Sequence, residues 1–289
     1  MVTTALNYNP NATYEVRWRD VEYRKDASGS WLARVYQPQG AGPFPALLEV
    51  HGGAWNNNDR TQNEPLNQAV AASGIVVTAI DFHNAPQAPY PASIQDVHFA
   101  TRWLKLHARD FNASPEMLGG SGFSSGGHIV MLSAMRPRDH MYSAHDGELP
   151  GDADASFAYV IVGWPVIDPT ARYRLAQSQG REPLMANHLR YFGDEATQDA
   201  ANTQLILERG EAVETPPLLF LQGAADEALT PDMGERFALA YSRAGGVVEL
   251  AKYPGAPHGF LREPGPNADR AMALVKSFIA RQLQAATSG

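Results

Sequence analysis

Short apolar runs recur along this chain, and stretches with helical periodicity separate them. Three of the runs predict buried strands: "GIVVTAIDF", "FAYVIVGWPV" and "PLLFLQG". Continuous hydrophobic runs without polar alternation are typical of parallel strands that helices cover on both faces. Between them lie stretches such as "SIQDVHFATRWLKLHARDF" and "ADRAMALVKSFIARQLQ", which carry the apolar stripe of an amphipathic helix. The alternation predicts an α/β fold with a mostly parallel central sheet and helices on both faces.

Two segments depart from this alternation. Near the amino terminus, "YEVRWRDVEYR" and "WLARVYQP" alternate apolar and polar residues, which predicts an antiparallel pair of strands at the start of the sheet. Residues 168–213 are polar and helical, and no long linker of Gly, Ser or Pro flanks them. We therefore predict a single α/β domain over residues 1–289. Within it, residues 168–213 form a helical, lid-like insertion that we call the excursion.

Composition and charge exclude several classes of protein. The 289 residues are 44% hydrophobic and carry a net charge of −8, without the Lys/Arg-rich segment that favours nucleic acid or an anionic membrane. The absence of cysteine excludes disulfides, thiolate metal sites and a cysteine nucleophile. The first residues lack the basic and apolar regions of a signal peptide, and no apolar run approaches the roughly 20 residues of a membrane span. We expect a cytoplasmic protein that binds neither nucleic acid nor membrane.

A glycine- and serine-rich run, "GGSGFSSGGH", occupies residues 119–128. The pattern G-x-S-x-G matches it once, with Ser124 at the centre. A nucleophilic serine on a sharp strand-to-helix turn needs small neighbours, and the helix amino terminus beside it favours a developing oxyanion. The pentapeptide is also compatible with an ordinary glycine-rich loop. The strand-like segment before it and the helix-like segment after it favour the nucleophile.

Acyl transfer by a serine requires a base and an orienting carboxylate, in the chain order serine, acid, histidine for this kind of fold. His258 lies in "YPGAPHGF", a loop between a strand and the last helix, and is the predicted base. Asp226 follows the strand "PLLFLQG" and is the predicted acid, although it could instead cap the next helix. Glu227 competes with it, and Asp168 is the alternative acid.

Other histidines downstream of the serine have simpler predicted roles. His128 lies one turn into the helix after the serine, where its side chain points away from the hydroxyl, so we predict a structural residue. His140, His145 and His188 lie in the excursion or its approach, and we predict that they are surface residues.

Upstream, "EVHGGAW" ends a predicted strand with two glycines. Such glycines let backbone N–H groups turn toward a ligand, as an oxyanion hole requires. A plain strand-ending turn is the alternative. The presence of this segment together with the serine, acid and histidine loops, all in the expected order, favours the oxyanion hole.

These four segments together resemble the α/β-hydrolase superfamily over most of the chain. "HGGAW" is similar to the motif of hormone-sensitive-lipase-like esterases and kynurenine formamidases, while "GFSSGGH", "QGAADEALTP" and "PGAPHGF" resemble their nucleophile, acid and histidine loops. The resemblance implies a nucleophile, an acid, a base and three oxyanion amides, which are Ser124, Asp226, His258 and the N–H groups of Gly53, Ala54 and Ser125. It also implies that His51 braces the loop. Three residues depart from the family pattern, namely Phe123, Gln222 and Ala54.

The implied activity is that of a serine hydrolase that cleaves carboxylic esters of small or aromatic groups through an acyl-enzyme. It requires no metal and no organic cofactor, and its partner is a small-molecule ester or amide. An amidase of the arylformamidase type is the alternative, because of the "HGGAW" form. A non-catalytic ligand-binding module on the same fold is a third hypothesis, which the complete set of catalytic residues disfavours.

Aromatic and apolar residues at strand ends are candidates for the substrate pocket. We predict four substrate-binding residues, Trp55, Trp164, Ile167 and His83. Excursion residues that could form a lid are Met185, His188, Tyr191 and Phe192. Residues of these types at strand ends also occur in protein cores, and that alternative stays open.

Overall fold

The protein is built around an eight-stranded sheet. The structure is a computed structural model, and it describes residue 6, residues 8–27 and residues 29–288. The strand order across the sheet is β1-β2-β4-β3-β5-β6-β7-β8. The strands are β1 (Val16–Asp26), β2 (Gly29–Pro38), β3 (Ala46–Val50), β4 (Val76–Ile80), β5 (Gly119–Phe123), β6 (Tyr159–Gly163), β7 (Leu218–Gly223) and β8 (Val248–Tyr253).

Strand directions confirm the predicted fold class. β1 pairs with β2 and β2 pairs with β4 in antiparallel fashion, whereas every later pair in the sheet is parallel. All residues of β3, β4, β5, β6 and β7 are buried. Their burial on both faces explains the continuous apolar runs of the sequence, since neither face of these strands meets water.

Strand β5 has the sequence "GGSGF", which has low strand propensity. Its first two glycines are required because neighbouring side chains leave no room for a Cβ. A Cβ on Gly119 would lie 2.3 Å from the ring of Tyr159, and one on Gly120 would lie 3.1 Å from the ring of Phe157. Large side chains from neighbouring elements thus cover this strand. Local propensity is overridden here by tertiary packing.

Nine helices join and cover the strands in the described part of the chain. They are α1 (Glu64–Ala71), α2 (Ala92–His107), α3 (Ser125–Met135), α4 (Pro169–Ser178), α5 (Glu182–Phe192), α6 (Glu195–Ala200), α7 (Thr203–Glu208), α8 (Met233–Arg243) and α9 (Pro266–Ser288). Helix α1 was not predicted from the sequence, because it is only eight residues long and asparagine and glutamine interrupt its apolar stripe. No helix within the described ranges combines the length and apolarity of a bilayer span. Residues 1–5 and 7, part of the stretch examined for a signal peptide, lie outside the described residues.

The excursion folds as helices α4 to α7 between β6 and β7. Asp168 connects the start of α4 to the start of α7, since its Oδ1 accepts from the Ala171 amide of α4 at 2.9 Å and from Nδ2 of Asn202, the residue before α7, at 2.8 Å. The prediction that His188 is a surface residue is wrong. His188 is fully buried, because its ring packs 4.9 Å from that of Trp55 and its Nδ1 donates to Gln198 Oε1 at 2.9 Å.

Candidate active site

Ser124 lies on a sharp turn between the end of β5 and the start of α3. Its φ is 54° and its ψ is −121°, a strained conformation for a residue with a Cβ. Hydrogen bonds hold the turn, because the Ser124 amide donates to the Gly163 carbonyl at 3.0 Å and its carbonyl accepts from the Val166 amide at 3.0 Å. Hydrogen bonds to the end of β6 and to the segment that follows it therefore stabilise the strained conformation that the turn requires.

The two glycines of the G-x-S-x-G pattern are required by close backbone contacts. A Cβ on Gly122 would lie 2.4 Å from the Gly126 carbonyl oxygen. A Cβ on Gly126 would lie 2.1 Å from the Val50 carbonyl oxygen and 2.3 Å from that of His51. Helix α3 thus approaches the end of β3 so closely that only hydrogen fits between them.

The structure brings together the predicted nucleophile, base and acid. His258 Nε2 lies 2.9 Å from Ser124 Oγ, and His258 Nδ1 lies 2.8 Å from Asp226 Oδ2. With Nδ1–H donating to the carboxylate, Nε2 is the acceptor for the serine hydroxyl proton. The carboxylate of Asp226 is 1% exposed, and its other oxygen accepts from the Ala228 amide at 2.8 Å. The three groups form one hydrogen-bonded chain.

The competing carboxylates are engaged elsewhere or point to solvent. Asp168 caps α4 and pairs with Arg236 at 3.3 Å. Glu227 is exposed. The Asp226 carboxylate accepts from an amide within its own loop and from the imidazole, rather than capping α8. Of the candidate acids, only Asp226 contacts the histidine.

The acid loop and the histidine loop are attached to each other. The Ala225 amide donates to the Ala256 carbonyl at 2.9 Å. A Cβ on Gly223, the last residue of β7, would lie 2.2 Å from that same carbonyl oxygen. Gly259 follows the histidine with a φ of 81°, which favours glycine. The sequence "PGAPHG" therefore folds the imidazole back over the end of the sheet.

The "HGGAW" loop turns its backbone toward Ser124. Gly53 has a φ of 130° and Ala54 a φ of 51°. In the described part of the chain, neither amide donates to a protein acceptor. A Cβ on Gly52 would lie 3.2 Å from Ser124 Cβ, which places this loop directly against the serine. The amide of Ser125, in the first turn of α3, has no acceptor in a preceding turn.

A contact that the sequence analysis did not foresee joins this loop to α3. The Trp55 amide donates to Ser125 Oγ at 3.1 Å, and both residues are about 1% exposed. The side chain of Ser125 thus holds the loop whose two free amides precede Trp55. No local sequence signal identifies such a contact, since seventy positions separate the two residues.

His51 braces the same loop from below. Its Nδ1 donates to the Gly52 carbonyl at 2.7 Å, and its ring stacks on Phe82 with centroids 4.2 Å apart. Burial lowers the pKa of His51 to about 4, so the ring is neutral near pH 7. This placement agrees with the bracing role that the resemblance implies.

Trp55 and His128 form a buried, hydrogen-bonded pair beside the site. Trp55 is 1% exposed, and its ring stacks on Tyr191 with centroids 5.2 Å apart. Its Nε1 donates to His128 Nδ1 at 3.2 Å, while His128 Nε2 donates to the Ala201 carbonyl at 2.9 Å. His128 is structural, as predicted. The Trp55 indole lies in the interior rather than on an open pocket wall.

The other three predicted pocket residues have different surroundings. Trp164 is fully buried, with its ring 6.2 Å from that of His258. Ile167 is also fully buried, and its carbonyl accepts from Thr203 Oγ1 at 2.7 Å. His83 is bound elsewhere, because its Nδ1 lies 2.7 Å from Asp96 and its ring packs 4.0 Å from that of Trp31. Only Trp164 among these three contacts the imidazole of the site.

Phe123, the departure from the family pattern next to the serine, fills a gap between strands. Its ring is 5.2 Å from that of Trp164, and a Cβ on Gly163 would lie 2.6 Å from it. Phe123 is 5% exposed. The aromatic residue therefore packs under the Trp164 ring, where the family commonly has an acidic residue.

Two arginines near the site were not identified from the sequence. Arg262 lies close to Gly52, and its guanidinium is 6.0 Å from the Trp164 ring. Arg172, in the first turn of α4, is 4% exposed and lies 5.6 Å from the Trp55 ring. Burial and the nearby Arg181 lower the pKa of Arg172 to about 10, although Asp226 acts in the opposite direction. Their positions depend on the excursion fold, which no local pattern specifies.

Comparison with known proteins identifies one matching family and several similar proteins. The family model BD-FAE matches residues 34–240, more than half of the chain. The carboxylic ester hydrolase LipN of Mycobacterium tuberculosis is 28% identical over 242 residues, which cover 81% of this chain and 62% of that protein. Carboxylesterase NlhH of the same species is 35% identical over 137 residues, or 46% of this chain and 43% of that protein. The chain therefore spans about three-fifths of the length of LipN.

Solved structures share the fold at low sequence identity. Esterase B from Lactobacillus Rhamnosis superposes with a TM-score of 0.78 at 19% identity, over 96% of this chain and 90% of that one. Thermogutta terrifontis esterase 2 phosphorylated by paraoxon superposes with a TM-score of 0.72 at 21% identity, over 91% of this chain and 94% of that one. The sheet order, the serine turn and the match over residues 34–240 lead to one conclusion: the chain has the α/β-hydrolase fold and belongs to the BD-FAE family.

Proposed function

We propose that this protein is a serine hydrolase that cleaves carboxylic esters of small or aromatic groups. The observation that carries the proposal is the hydrogen-bonded chain from Ser124 through His258 to Asp226, at 2.9 and 2.8 Å. The names of LipN and NlhH as carboxylic ester hydrolases support it.

The mechanism begins with attack of Ser124 Oγ on the ester carbonyl carbon, while His258 Nε2 takes the hydroxyl proton. Asp226 stabilises the resulting imidazolium and holds its Nδ1–H in place. Negative charge that develops on the carbonyl oxygen is met by the amides of Gly53, Ala54 and Ser125. Such donors are each worth roughly 3–4 kcal/mol in enzymes of this type. Since the amides of Gly53 and Ala54 have no protein acceptor among the described residues and their loop lies against the serine, we propose that they are available to the oxyanion without breaking other hydrogen bonds.

Collapse of the tetrahedral intermediate breaks the bond to the alcohol, which leaves with the proton that His258 carries. Water then attacks the Ser124 ester carbonyl, and the same Nε2 takes the proton of that water. The second tetrahedral intermediate releases the acid and returns the proton to Ser124 Oγ. No metal or organic cofactor takes part in this proposal.

The test is hydrolysis of p-nitrophenyl acetate by the wild type and by Ser124→Ala and His258→Ala. We expect each substitution to lower kcat by at least about a thousandfold, because nucleophile and base act as a unit. Ser121→Ala is the matched control, since Ser121 is a buried serine of the same run and lies inside β5. Unchanged rates in Ser124→Ala would favour the non-catalytic binding module instead.

An amidase of the arylformamidase type is distinguished with a substrate panel. N-formylkynurenine is compared with short aryl esters at equal enzyme concentration. A higher kcat/KM for the formamide would replace the ester by the amide in this proposal. A fluorophosphonate adduct, mapped by peptide mass, locates the nucleophile in either case, and a label on any residue other than Ser124 would contradict the assignment.

We propose further that the chain is a single domain whose excursion covers the site. Trp164, beside the imidazole, is the pocket residue that the contacts favour most. The expectations of a cytoplasmic location and of no nucleic-acid or membrane partner stay predictions.

A further inference from the structure

The excursion buries a positive charge that no carboxylate of the described residues contacts. Arg172 is 4% exposed, and its Nε has no hydrogen-bond partner. Within the described ranges, no carboxylate oxygen lies within 4.0 Å of its guanidinium. Arg174, two residues further along α4, instead forms an exposed ion pair with Glu195 at 3.3 Å. A buried cation without a counter-ion is costly, so its retention calls for a physical reason.

One hydrogen bond fixes the direction of the guanidinium. His188 Nδ1 donates to Gln198 Oε1 at 2.9 Å, which leaves Nε2 as an acceptor for Arg172 Nη1 at 3.4 Å. Burial and the charge of Arg172 hold the pKa of His188 at about 3, so this ring is a neutral partner. The bond orients Arg172 without neutralising it. Packing on the Trp55 ring at 5.6 Å adds a weak attraction but occupies none of the N–H donors.

Interactions with two other residues connect Arg172 to the surroundings of Ser124. On one side is Trp55, whose amide donates to Ser125, the neighbour of the serine. On the other side is Arg181, whose Nη1 donates to the Glu227 carbonyl, next to Asp226. Arg181 likewise has no carboxylate within 4.0 Å among the described residues. The Asp226 carboxylate is occupied by His258. Buried Arg172 and exposed Arg181 thus lie close to one another, and neither contacts a carboxylate among the described residues.

We propose that Arg172, assisted by Arg181, binds a carboxylate group of the substrate, so that the preferred ester carries a free carboxylate a few bonds from the carbonyl that Ser124 attacks. The inference rests on the proposed function and deepens it. A guanidinium with free N–H donors matches a carboxylate in charge and in planar geometry. Because the protein as a whole is acidic, with a net charge of −8, this local positive charge is the feature that would retain an anion.

The first experiment compares charged and neutral esters with the wild type. In one arm, methanol release from monomethyl succinate is compared with that from dimethyl succinate, which places the carboxylate on the acyl side. In the other arm, acetate release from acetoxyacetate is compared with that from its methyl ester, which places it on the alcohol side. We expect kcat/KM for the charged ester to be at least about tenfold higher in one arm, as for a hydrogen bond to a buried charge. The arm that shows the preference identifies the side, and no preference in either arm overturns the proposal.

The second experiment assigns the preference to Arg172. Arg172→Met is expected to reduce the ratio of charged to neutral kcat/KM to about one, mainly through a rise in KM for the charged ester. Arg172→Lys keeps the charge over Trp55 but lacks the planar fork, so an intermediate ratio is expected. Arg174→Met is the matched control on the same helix and should leave the ratio unchanged. If Arg172→Met does not fold, the ratio in Arg172→Lys decides.

The outcomes separate this inference from the function on which it rests. A preference that persists in Arg172→Met and Arg172→Lys would assign the carboxylate to another cation, such as Arg262 beside Trp164, and overturn the proposal. Activity on neutral esters that depends on Ser124, without any preference for charged esters, would retain the esterase and reject the role of Arg172. Activity that does not depend on Ser124 would contradict the proposed function itself.

Discussion

The two adjacent serines at the turn have different roles. Ser124 presents its hydroxyl to His258, whereas the hydroxyl of Ser125 accepts from the Trp55 amide. The second contact holds the loop that carries the free amides of Gly53 and Ala54. The side chain of Ser125 therefore affects the reaction by positioning the backbone of that loop. Its removal should destabilise the transition state more than it weakens substrate binding.

Ser125→Ala tests this division of tasks. The Trp55 N–H loses a buried acceptor, so we expect the free energy of unfolding to fall by about 1–3 kcal/mol. Displacement of the oxyanion loop should lower kcat by about tenfold with little change in KM, since one such donor contributes more than this when fully lost. Urea unfolding and p-nitrophenyl ester kinetics measure both quantities.

The control for Ser125→Ala is Ser133→Ala on the same helix. Ser133 is fully buried, and its Oγ has no hydrogen-bond partner among the described residues. Its removal should lower neither stability nor kcat. A Ser125→Ala enzyme with wild-type kcat, or one as inactive as Ser124→Ala, would contradict the positioning role.

The sequence alone predicts residues at this scale where the chemistry imposes order and spacing. Ser124, Asp226 and His258 follow from a motif and from the loops after strands, and the structure places them within hydrogen-bond distance. Arg172 and the contact of Ser125 with Trp55 were not predictable, because both depend on how the excursion and the loop pack in three dimensions. His188 was misplaced at the surface for the same reason.

At the scale of elements, the joint between β3 and α3 determines where the serine meets the oxyanion loop. The space at this joint is limited by backbone atoms, because Gly126 would direct a Cβ to within 2.1 Å of the Val50 carbonyl oxygen. Backbone at the end of a central strand has little freedom to move. The distance between the two elements is therefore set by the absence of a single side chain.

Gly126→Ala tests the joint. Alanine favours a helix over glycine by about 1 kcal/mol, but the clash with two carbonyl groups outweighs this gain. We expect the free energy of unfolding to fall by about 3 kcal/mol or more and activity to be almost lost, since α3 must move away from the loop. Gly147→Ala is the control, because a Cβ there meets no atom within 4 Å. Equal stability and activity of both variants would show that the joint is not limiting.

Elements were predictable where burial imposes a pattern. The strands from β3 to β7, other than β5, were visible as apolar runs because both of their faces are covered. β5 was identifiable only from its place before the serine motif, since its composition lacks strand formers. α1 was missed because its stabilisation comes from packing of its inner face, which includes the buried Asn67 that contacts Glu49.

At the scale of the whole molecule, several titratable groups lie in the interior, and their pKa shifts act on stability. Burial lowers the pKa of His51 and His128 to about 4 and that of His188 to about 3. Burial raises the pKa of Glu49 to about 7, although Asn63 and Asn67 donate to its carboxylate. Near pH 7 these three imidazoles are therefore neutral, and Glu49 protonates more readily than an exposed glutamate.

These shifts predict how stability depends on pH. Between pH 4 and 6.5 the unfolded chain binds up to three protons at the histidines that the folded chain does not, so acidification favours unfolding. Glu49 acts in the opposite direction between pH 4.5 and 7, because the folded state holds the extra proton there. With three histidines against one glutamate, the free energy of unfolding should rise with pH across this window, by about 1.4 kcal/mol per pH unit for each net proton.

Urea unfolding at pH 5, 6 and 7 measures the slope. Glu49→Gln removes the opposing group, and the rise of stability with pH should then be steeper than in the wild type. The slope is the informative quantity, because the substitution also changes the hydrogen bonds to Asn63 and Asn67 and so lowers stability at every pH. Glu116→Gln, at an exposed position, should leave the slope unchanged. A free energy of unfolding that is constant from pH 5 to 7 would mean that the buried histidines do not stay neutral in the fold. A flatter slope in Glu49→Gln would instead mean that burial does not raise the pKa of Glu49.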